Sequence, residues 1–408
     1  MNEIAPPAAA SRFDRKRDQI VSAATELMNE LGFKGMTLTK VAHAIDLNTT
    51  SITYYFKRKD LLAEAILSDA IQRYSDIVER AALERDPYDK LHCMVWSVLE
   101  LFASIRSGDA PPVANLSHIR SLEEPLRSQL SDKYIALFRR VRTFFDRDEP
   151  ARKTLATAQT HVLLENLFWA QAWLRRYSLG DFERVAHRFS EVLAYGVSAK
   201  GRRWDPVALT VDRPETLEGL GEMNIAFLKS AAITINEWGY RGASVDKIAA
   251  ELSVTKGSFY HHLQSKDDLV LACFDLSYAR VSLAQRAAER VEGDHHARLC
   301  SSVASLLDLQ LYGESPLLRT TALYALPPDV RAGVIERSNR MARRYAGVLI
   351  DGITEGSIKA IDPLIAAQMV MATLNTAFEM RRWAADQSPD VAIETYASII
   401  TRGIIQDL

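Results

Sequence analysis

At 408 residues, with 48% hydrophobic and 25% charged residues, the chain has the composition of a globular protein long enough for two domains. Its 50 Lys and Arg stand against 52 Asp and Glu, a net charge of −2, which excludes a polycation and confines any phosphate-binding surface to local patches. Cys93, Cys273 and Cys300 are widely separated and form no CxxC pair, which excludes a disulfide framework and argues against a structural zinc site.

The chain begins MNEIAPPAAASRFDRKRDQ, without the uncharged apolar core of a signal peptide, and no later stretch approaches a membrane span. The expectation is a cytoplasmic protein with no membrane partner. Arg12, Arg15, Lys16 and Arg17 form a basic arm. Behind it Ile20, Val21, Ala24, Leu27, Met28 and Leu31 recur at helical spacing, and Gly32 supplies a stop that needs positive φ. Thr37 suits the N-cap of a short helix through Ile45, with Leu38, Val41, Ala42 and Ile45 facing inward. A turn at Asp46–Asn48 leads into a second short helix, Thr49 to Tyr55, and a long helix starts near Lys59. Two short helices joined by a three-residue turn and pinned to a longer preceding helix make a helix-turn-helix.

Its second helix has the composition of a major-groove reader. Asn48, Thr49, Thr50, Ser51 and Thr53 give a face of short polar side chains, while Ile52 and Phe56 turn inward as anchors. Tyr54 and Tyr55 offer hydroxyls to phosphates. Lys57, Arg58 and Lys59 stand at a helix start, where backbone N–H groups also favour an anion. Taken alone, such a basic run is an ordinary solvated helix start; next to the polar face it reads as a phosphate clamp.

Amphipathic helices follow over 87–106, 122–146 and 154–177. Residues 201–215, with Pro206 and Pro214 and no helical periodicity, read as a linker. Beyond it the sequence repeats itself. Residues 32–62 align without a gap on 239–269, at a constant offset of 239 − 32 = 207. Identities fall at Gly32/Gly239, Gly35/Gly242, Lys40/Lys247, Ala42/Ala249, Ser51/Ser258, Lys59/Lys266, Asp60/Asp267 and Leu62/Leu269, against about two expected by chance. The second copy therefore predicts helices over 224–238, 245–252 and 256–262, and a long helix from about 266. Its candidate DNA contacts are Ser244 (the counterpart of Thr37), Thr255, Lys256, Ser258, Tyr260, His261 and Lys266, with Phe259 and Leu263 as anchors. Helical segments at 296–311, 327–351 and 363–385 complete an all-α chain.

Both windows resemble the TetR/AcrR family of transcriptional regulators. Copy two does so through Gly239-Tyr240, Ile248-Ala249, the run Val254 to His261, Ser265-Lys266-Asp267 and Leu269; copy one through Gly32-Phe33, Thr37, Val41-Ala42, Tyr55-Phe56, Lys59-Asp60 and Leu62. Asp46 and Ser253 stand where the family has a turn glycine, and Thr50 stands where copy two keeps Gly257. The resemblance implies two units, each a three-helix DNA-binding domain followed by a helical effector and dimerisation domain: 10–62 and 63–200, then 216–269 and 270–408. It also implies a ligand-released repressor that acts on double-stranded operator DNA and responds to a small-molecule effector. Dimerisation through the last two helices of each unit would fall on 154–177 with 181–199 and on 363–385 with 389–405. The halves would then pair within one chain as a pseudo-dimer; a further homodimer is the other arrangement.

Charge separates the copies. Residues 10–62 hold nine basic and six acidic residues, 217–269 five and seven, so copy one carries the stronger electrostatic footprint. A reading in which only copy one binds DNA and copy two is a sensing and dimerisation partner therefore stands beside the two-headed one. A helical enzyme or ligand carrier without DNA binding is the rival from another class. Against it, HExxH, GxSxG, P-loop and dinucleotide-binding motifs are all lacking, so no enzyme and no cofactor are expected. Phe168, Trp169, Trp173, Phe378 and Trp383 either line an effector pocket or pack the core. His295-His296 reads as a surface helix start, with no metal.

Overall fold

The computed structural model describes residues 12–145, 150–212, 214–218, 221–255, 257, 265–326 and 328–405. Among these the chain is all-α, with an isolated antiparallel bridge between Ser198 and Ile358 in place of any sheet.

The first half opens with α1 (Arg12–Gly35), α2 (Leu38–Ala44), α3 (Thr49–Tyr55) and α4 (Lys59–Ala81). Ile20, Ala24 and Met28 recur at helical spacing along α1 and bury against Val41, Ile52, Phe56, Leu62 and Ile66. Gly32 turns the chain at φ 67. Thr37 then caps α2, its side chain accepting a hydrogen bond from the Lys40 amide. Asp46 takes the left-handed conformation, φ 52, that joins α2 to α3. A non-glycine residue held there costs about 1–2 kcal/mol, which the surrounding core must supply. The rest of this half is α5 (Pro87–Ser107), a 3-10 turn Leu116–Ser121, α6 (Leu126–Arg142), α7 (Pro150–Leu174) and α8 (Phe182–Tyr195).

The second half copies these devices. In α9 (Glu222–Gly242) Gly239 has φ 70; Ser244 caps α10 (Val245–Glu251); Ser253 repeats the left-handed turn at φ 55. The helix expected over 256–262 falls on residues of which 256 and 258–264 lie outside the described set. Helices Lys266–Glu289, His295–Leu311, Pro328–Glu355, Pro363–Thr376, Arg381–Ala385 and Pro389–Thr401 follow, with a 3-10 turn at Thr320–Ala325.

Two expectations change. The single helix over 363–385 breaks at Thr376, whose hydroxyl donates to the Ala372 carbonyl (3.0 Å), and residues 377–380 tighten into a 3-10 turn. The Arg381 guanidinium fixes the far side on the Gln310 carbonyl (2.8 Å), and Glu379 is thereby turned toward Arg120 and Arg319. The second change concerns His296. It begins a helix as expected, capped by Asp294, but it is buried, with Ser198 from the segment after α8 2.7 Å from its Nε2.

The halves share one core. α7 and α8 pack against Pro363–Thr376 and Pro389–Thr401, bringing Leu163, Leu167 and Phe189 into one apolar cluster with Val370, Leu374 and Tyr396. Buried polar groups cross the seam in pairs: Gln159 Nε2 donates to the Ile404 carbonyl (2.6 Å), His161 Nδ1 meets the Tyr396 hydroxyl (3.0 Å), and Asn166 Nδ2 donates to Thr373 Oγ1 (3.1 Å). The heads rest on both halves. α1 and α9 each pack against the 3-10 turn of their own half and against that of the other, Leu116–Ser121 and Thr320–Ala325.

Candidate nucleic-acid interface and effector cavity

Helix α3 presents Thr50 and Tyr54 to solvent, with Tyr54 74% exposed, while Ile52 and Phe56 are buried beneath. Thr49, Ser51, Thr53 and Tyr55 are half-buried along its flanks. Asn48 has a second occupation: its Oδ1 accepts from the Ser51 amide (2.7 Å) and hydroxyl (2.8 Å) and so starts the helix. Thr53 donates back to the Thr50 carbonyl (2.9 Å). The aromatic pair is braced from α1, where the Phe13 ring lies 4.7 Å from Tyr55 and 6.1 Å from Tyr54. Arg15 is exposed on α1, and Arg17 crosses the Phe56 ring at 5.5 Å. Phe13 lies seven residues before Ile20 and so extends the apolar stripe of α1 by two turns, a sign that a stripe read from Ile20 onward leaves out.

The basic run divides by role. Lys57 is exposed. Arg58 closes on Asp60 at 2.6 Å, a hydrogen bond that lowers the Asp60 carboxyl below its ordinary value and spends much of the arginine charge locally. Lys59 places Nζ 4.3 Å from the centre of the Phe33 ring and donates to the Lys34 carbonyl (3.3 Å). Head two repeats this arrangement: Lys266 lies 4.2 Å over the Tyr240 ring and donates to the Tyr240 carbonyl. Thr37 and Ser244 are both occupied as caps. Thr255 is exposed; Lys256, Ser258, Tyr260 and His261, with Phe259 and Leu263, lie outside the described residues.

A cavity of about 150 Å³ opens where the halves meet, lined among others by Arg120, Tyr134, Glu165, Phe168, Trp169 and Arg319. Trp169 also walls a larger space of about 440 Å³ that reaches Trp173 and Arg331. Of the aromatic candidates, Phe168, Trp169 and Trp173 therefore face cavities. Phe378 is buried under the Arg381 guanidinium (4.6 Å), and Trp383 donates its indole N–H to the Thr154 carbonyl (3.0 Å); both are packing positions.

Behind the first cavity is a charge cluster assembled from four separate elements. Glu379 receives Arg120 and Arg319, and His161 Nε2 stands 3.7 Å from its second oxygen. Burial alone would raise the Glu379 carboxyl, but the Arg120 charge and the His161 and Arg120 hydrogen bonds overcome this and hold it at about 2. Glu165 has Arg319 Nη2 at 3.5 Å; burial, then the neighbouring Glu379 charge, push its carboxyl up to about 7. His161, Glu165 and Glu379 place ligand atoms within 4.8 Å of one another, but the two guanidinium groups on Glu379 already supply the positive charge a metal ion would bring. Sequence reasoning missed this cluster because no local pattern links charges from four distant segments.

Among the described residues no helix is long and apolar enough to cross a membrane. The family profile described as "Bacterial regulatory proteins, tetR family" matches residues 20–66 and 227–273. The chain is 38% identical over 66 residues to the probable HTH-type transcriptional regulator YttP of Bacillus subtilis (strain 168), covering 16% of this chain and 32% of that protein. It is 24% identical over 195 residues to the uncharacterized HTH-type transcriptional regulator YhgD of the same organism, covering 44% of this chain and 94% of YhgD. A crystal structure of a TetR-family transcriptional regulator from Bordetella parapertussis 12822 is similar at 20% identity and a TM-score of 0.38, over 44% of this chain and 94% of that one. The matches to YttP and to the Transposon Tn10 TetC protein of Escherichia coli span only 32% and 25% of those proteins.

Proposed function

Since the chain belongs to the TetR family of bacterial regulatory proteins and carries the family's N-terminal unit twice, we propose that it is a ligand-responsive transcriptional repressor with two non-identical reading heads. It acts by binding operator DNA in the cytoplasm, not by catalysis. Each head sits on its own effector domain, and the two domains pair inside one chain as a pseudo-dimer.

The observation that carries the pairing is the contact of Asn166 with Thr373. These residues are 373 − 166 = 207 positions apart, the offset of the sequence repeat, and they touch at 3.1 Å. Equivalent residues of an isologous dimer meet on its two-fold axis, and this contact supports such a pairing with a covalent link between the partners. Because the heads differ in sequence, the operator need not be palindromic.

Light scattering tests the pairing: one chain of 45.7 kDa should bind one operator as a monomer. Fluorescence anisotropy against the upstream intergenic DNA across a salt series tests the heads. A steep salt slope with protection of two successive major-groove faces supports the two-headed reading. A second reading, in which copy two serves only as sensing and dimerisation partner, is favoured by the five basic against seven acidic residues of 217–269. Protection of a single face decides for it. Failure to bind that fragment and selected random DNA overturns both.

A further inference from the structure

We infer that the cavity at the junction of the halves binds a small monocarboxylate with an apolar body about the size of one aromatic ring. The inference deepens the ligand-responsive reading above, resting on it only for the consequence at the heads.

Size comes first. A cavity of about 150 Å³ holds a molecule of benzene's dimensions when its lining is apolar. Here Phe168, Trp169, Leu116 and Ile119 provide such a lining on one side. The polar side is rich in donors. Arg319 is 2% exposed, and among the described residues neither its Nε nor the buried indole N–H of Trp169 has a hydrogen-bond partner. Both side chains line this cavity, and two buried donors without partners are costly where they stand, so an acceptor entering beside them is favoured. A carboxylate supplies two oxygens and matches the fork of a guanidinium.

Charge points the same way. Arg120 and Arg319 bring two positive charges, and Glu379 cancels one. Glu165 is the remaining acid; burial raises its carboxyl toward the neutral form, so the pocket retains positive charge that a monoanion completes. A ligand cation would meet two guanidinium groups, and a dianion would exceed the available charge.

The site is also wired to a reading head. The Arg120 guanidinium donates to the Asn236 carbonyl of α9 (3.4 Å), and the Arg319 amide donates to the Asn236 side chain (2.9 Å). A carboxylate that draws either arginine into the cavity loads the helix that carries head two. Because copy one supplies Arg120, Phe168 and Trp169 and copy two supplies Arg319, one ligand serves the whole chain, not one per half.

The test is calorimetric titration of the full chain, without DNA, using benzoate, neutral benzamide and benzylammonium. Benzoate should bind one per chain and at least about tenfold tighter than benzamide, with benzylammonium silent. Trp169→Phe keeps the ring and removes the donor, and should weaken benzoate about tenfold while leaving thermal stability near wild type. Arg319→Gln should abolish the preference for benzoate over benzamide. Equal binding of benzoate and benzamide, binding of benzylammonium instead, or no heat from any of the three up to about 10 mM overturns the inference. So does an unchanged benzoate affinity in Trp169→Phe. DNA affinity measured separately keeps the two readings apart: DNA binding without benzoate binding removes only the ligand, and the reverse removes only the regulator.

Discussion

Asn29 and Asn236 make the same two hydrogen bonds in the two halves. Asn29 Nδ2 donates to the Val113 carbonyl (2.9 Å) and its Oδ1 accepts from the Asn115 amide (3.0 Å); Asn236 does the same with the Leu317 carbonyl and the Arg319 amide, both at 2.9 Å. The asparagines are 236 − 29 = 207 apart, but their partners are 319 − 115 = 204 apart. Each clamp ties the first helix of its half to the segment entering a 3-10 turn of the same half.

Replacing either asparagine by alanine leaves a buried carbonyl and a buried amide without partners, at a cost of about 1–3 kcal/mol each. Asn236→Ala should cost more than Asn29→Ala, since Asn236 is 3% exposed and Asn29 half-buried. Urea denaturation of both variants checks the order, and equal small losses would show that water replaces the clamp.

Lysines 57 and 59 should separate in their effects although two residues apart. Lys57 is exposed; on the proposed reading it meets phosphate, so Lys57→Ala should lower the salt slope of DNA binding by about one and leave stability within about 0.5 kcal/mol. Lys59 sits on the Phe33 ring, and Lys59→Ala should cost about 0.5–1 kcal/mol of stability as well. Salt-dependent anisotropy beside thermal melts distinguishes the two; identical stability losses would refute the division.

Asn48 offers a cleaner separation. Asn48→Ala removes the cap that holds the Ser51 amide and should destabilise head one by about 1 kcal/mol. Asn48→Asp keeps the cap and adds a negative charge facing phosphate. It should fold as well as wild type and bind DNA at least about tenfold more weakly. A variant that binds DNA normally would place position 48 away from the duplex.

The heads were legible because their signals are local: a stripe at helical spacing, a cap at Thr37, a left-handed turn at Asp46, and a second copy of each at one offset. The inward turn of Ile52 and Phe56 follows from their spacing alone. The segments that follow the heads were legible only as helices. Their alignment fades where the offset slips locally to 204, at Asn115/Arg319, before Asn166/Thr373 restore 207, and no periodicity records the slip. Glu379 was hidden for a similar reason. Its position depends on Thr376 breaking a helix that apolar spacing reads as continuous through 385. The aromatic residues were ambiguous because Phe168 and Phe378 follow the same helical spacing, and only the packing of the opposite half leaves a space beside the first.

Glu165 makes the seam sensitive to pH, with a direction that can be fixed. Its carboxyl is raised from 4.5 to about 7, first by burial and then by Glu379, so the folded chain holds this proton more tightly than the unfolded one. The stability it contributes is complete below about pH 4.5 and is lost as pH rises through about 7, where a buried charge must form. Glu379 titrates the opposite way, between 4.5 and about 2, and leaves that window untouched. Glu165→Gln removes the titration while keeping an acceptor for Arg319. Relative to wild type, the variant should therefore gain several degrees in melting temperature between about pH 5 and about pH 8. A melting difference that does not change with pH would mean that Arg319, 3.5 Å away, holds Glu165 ionised throughout and that the pocket carries no excess positive charge.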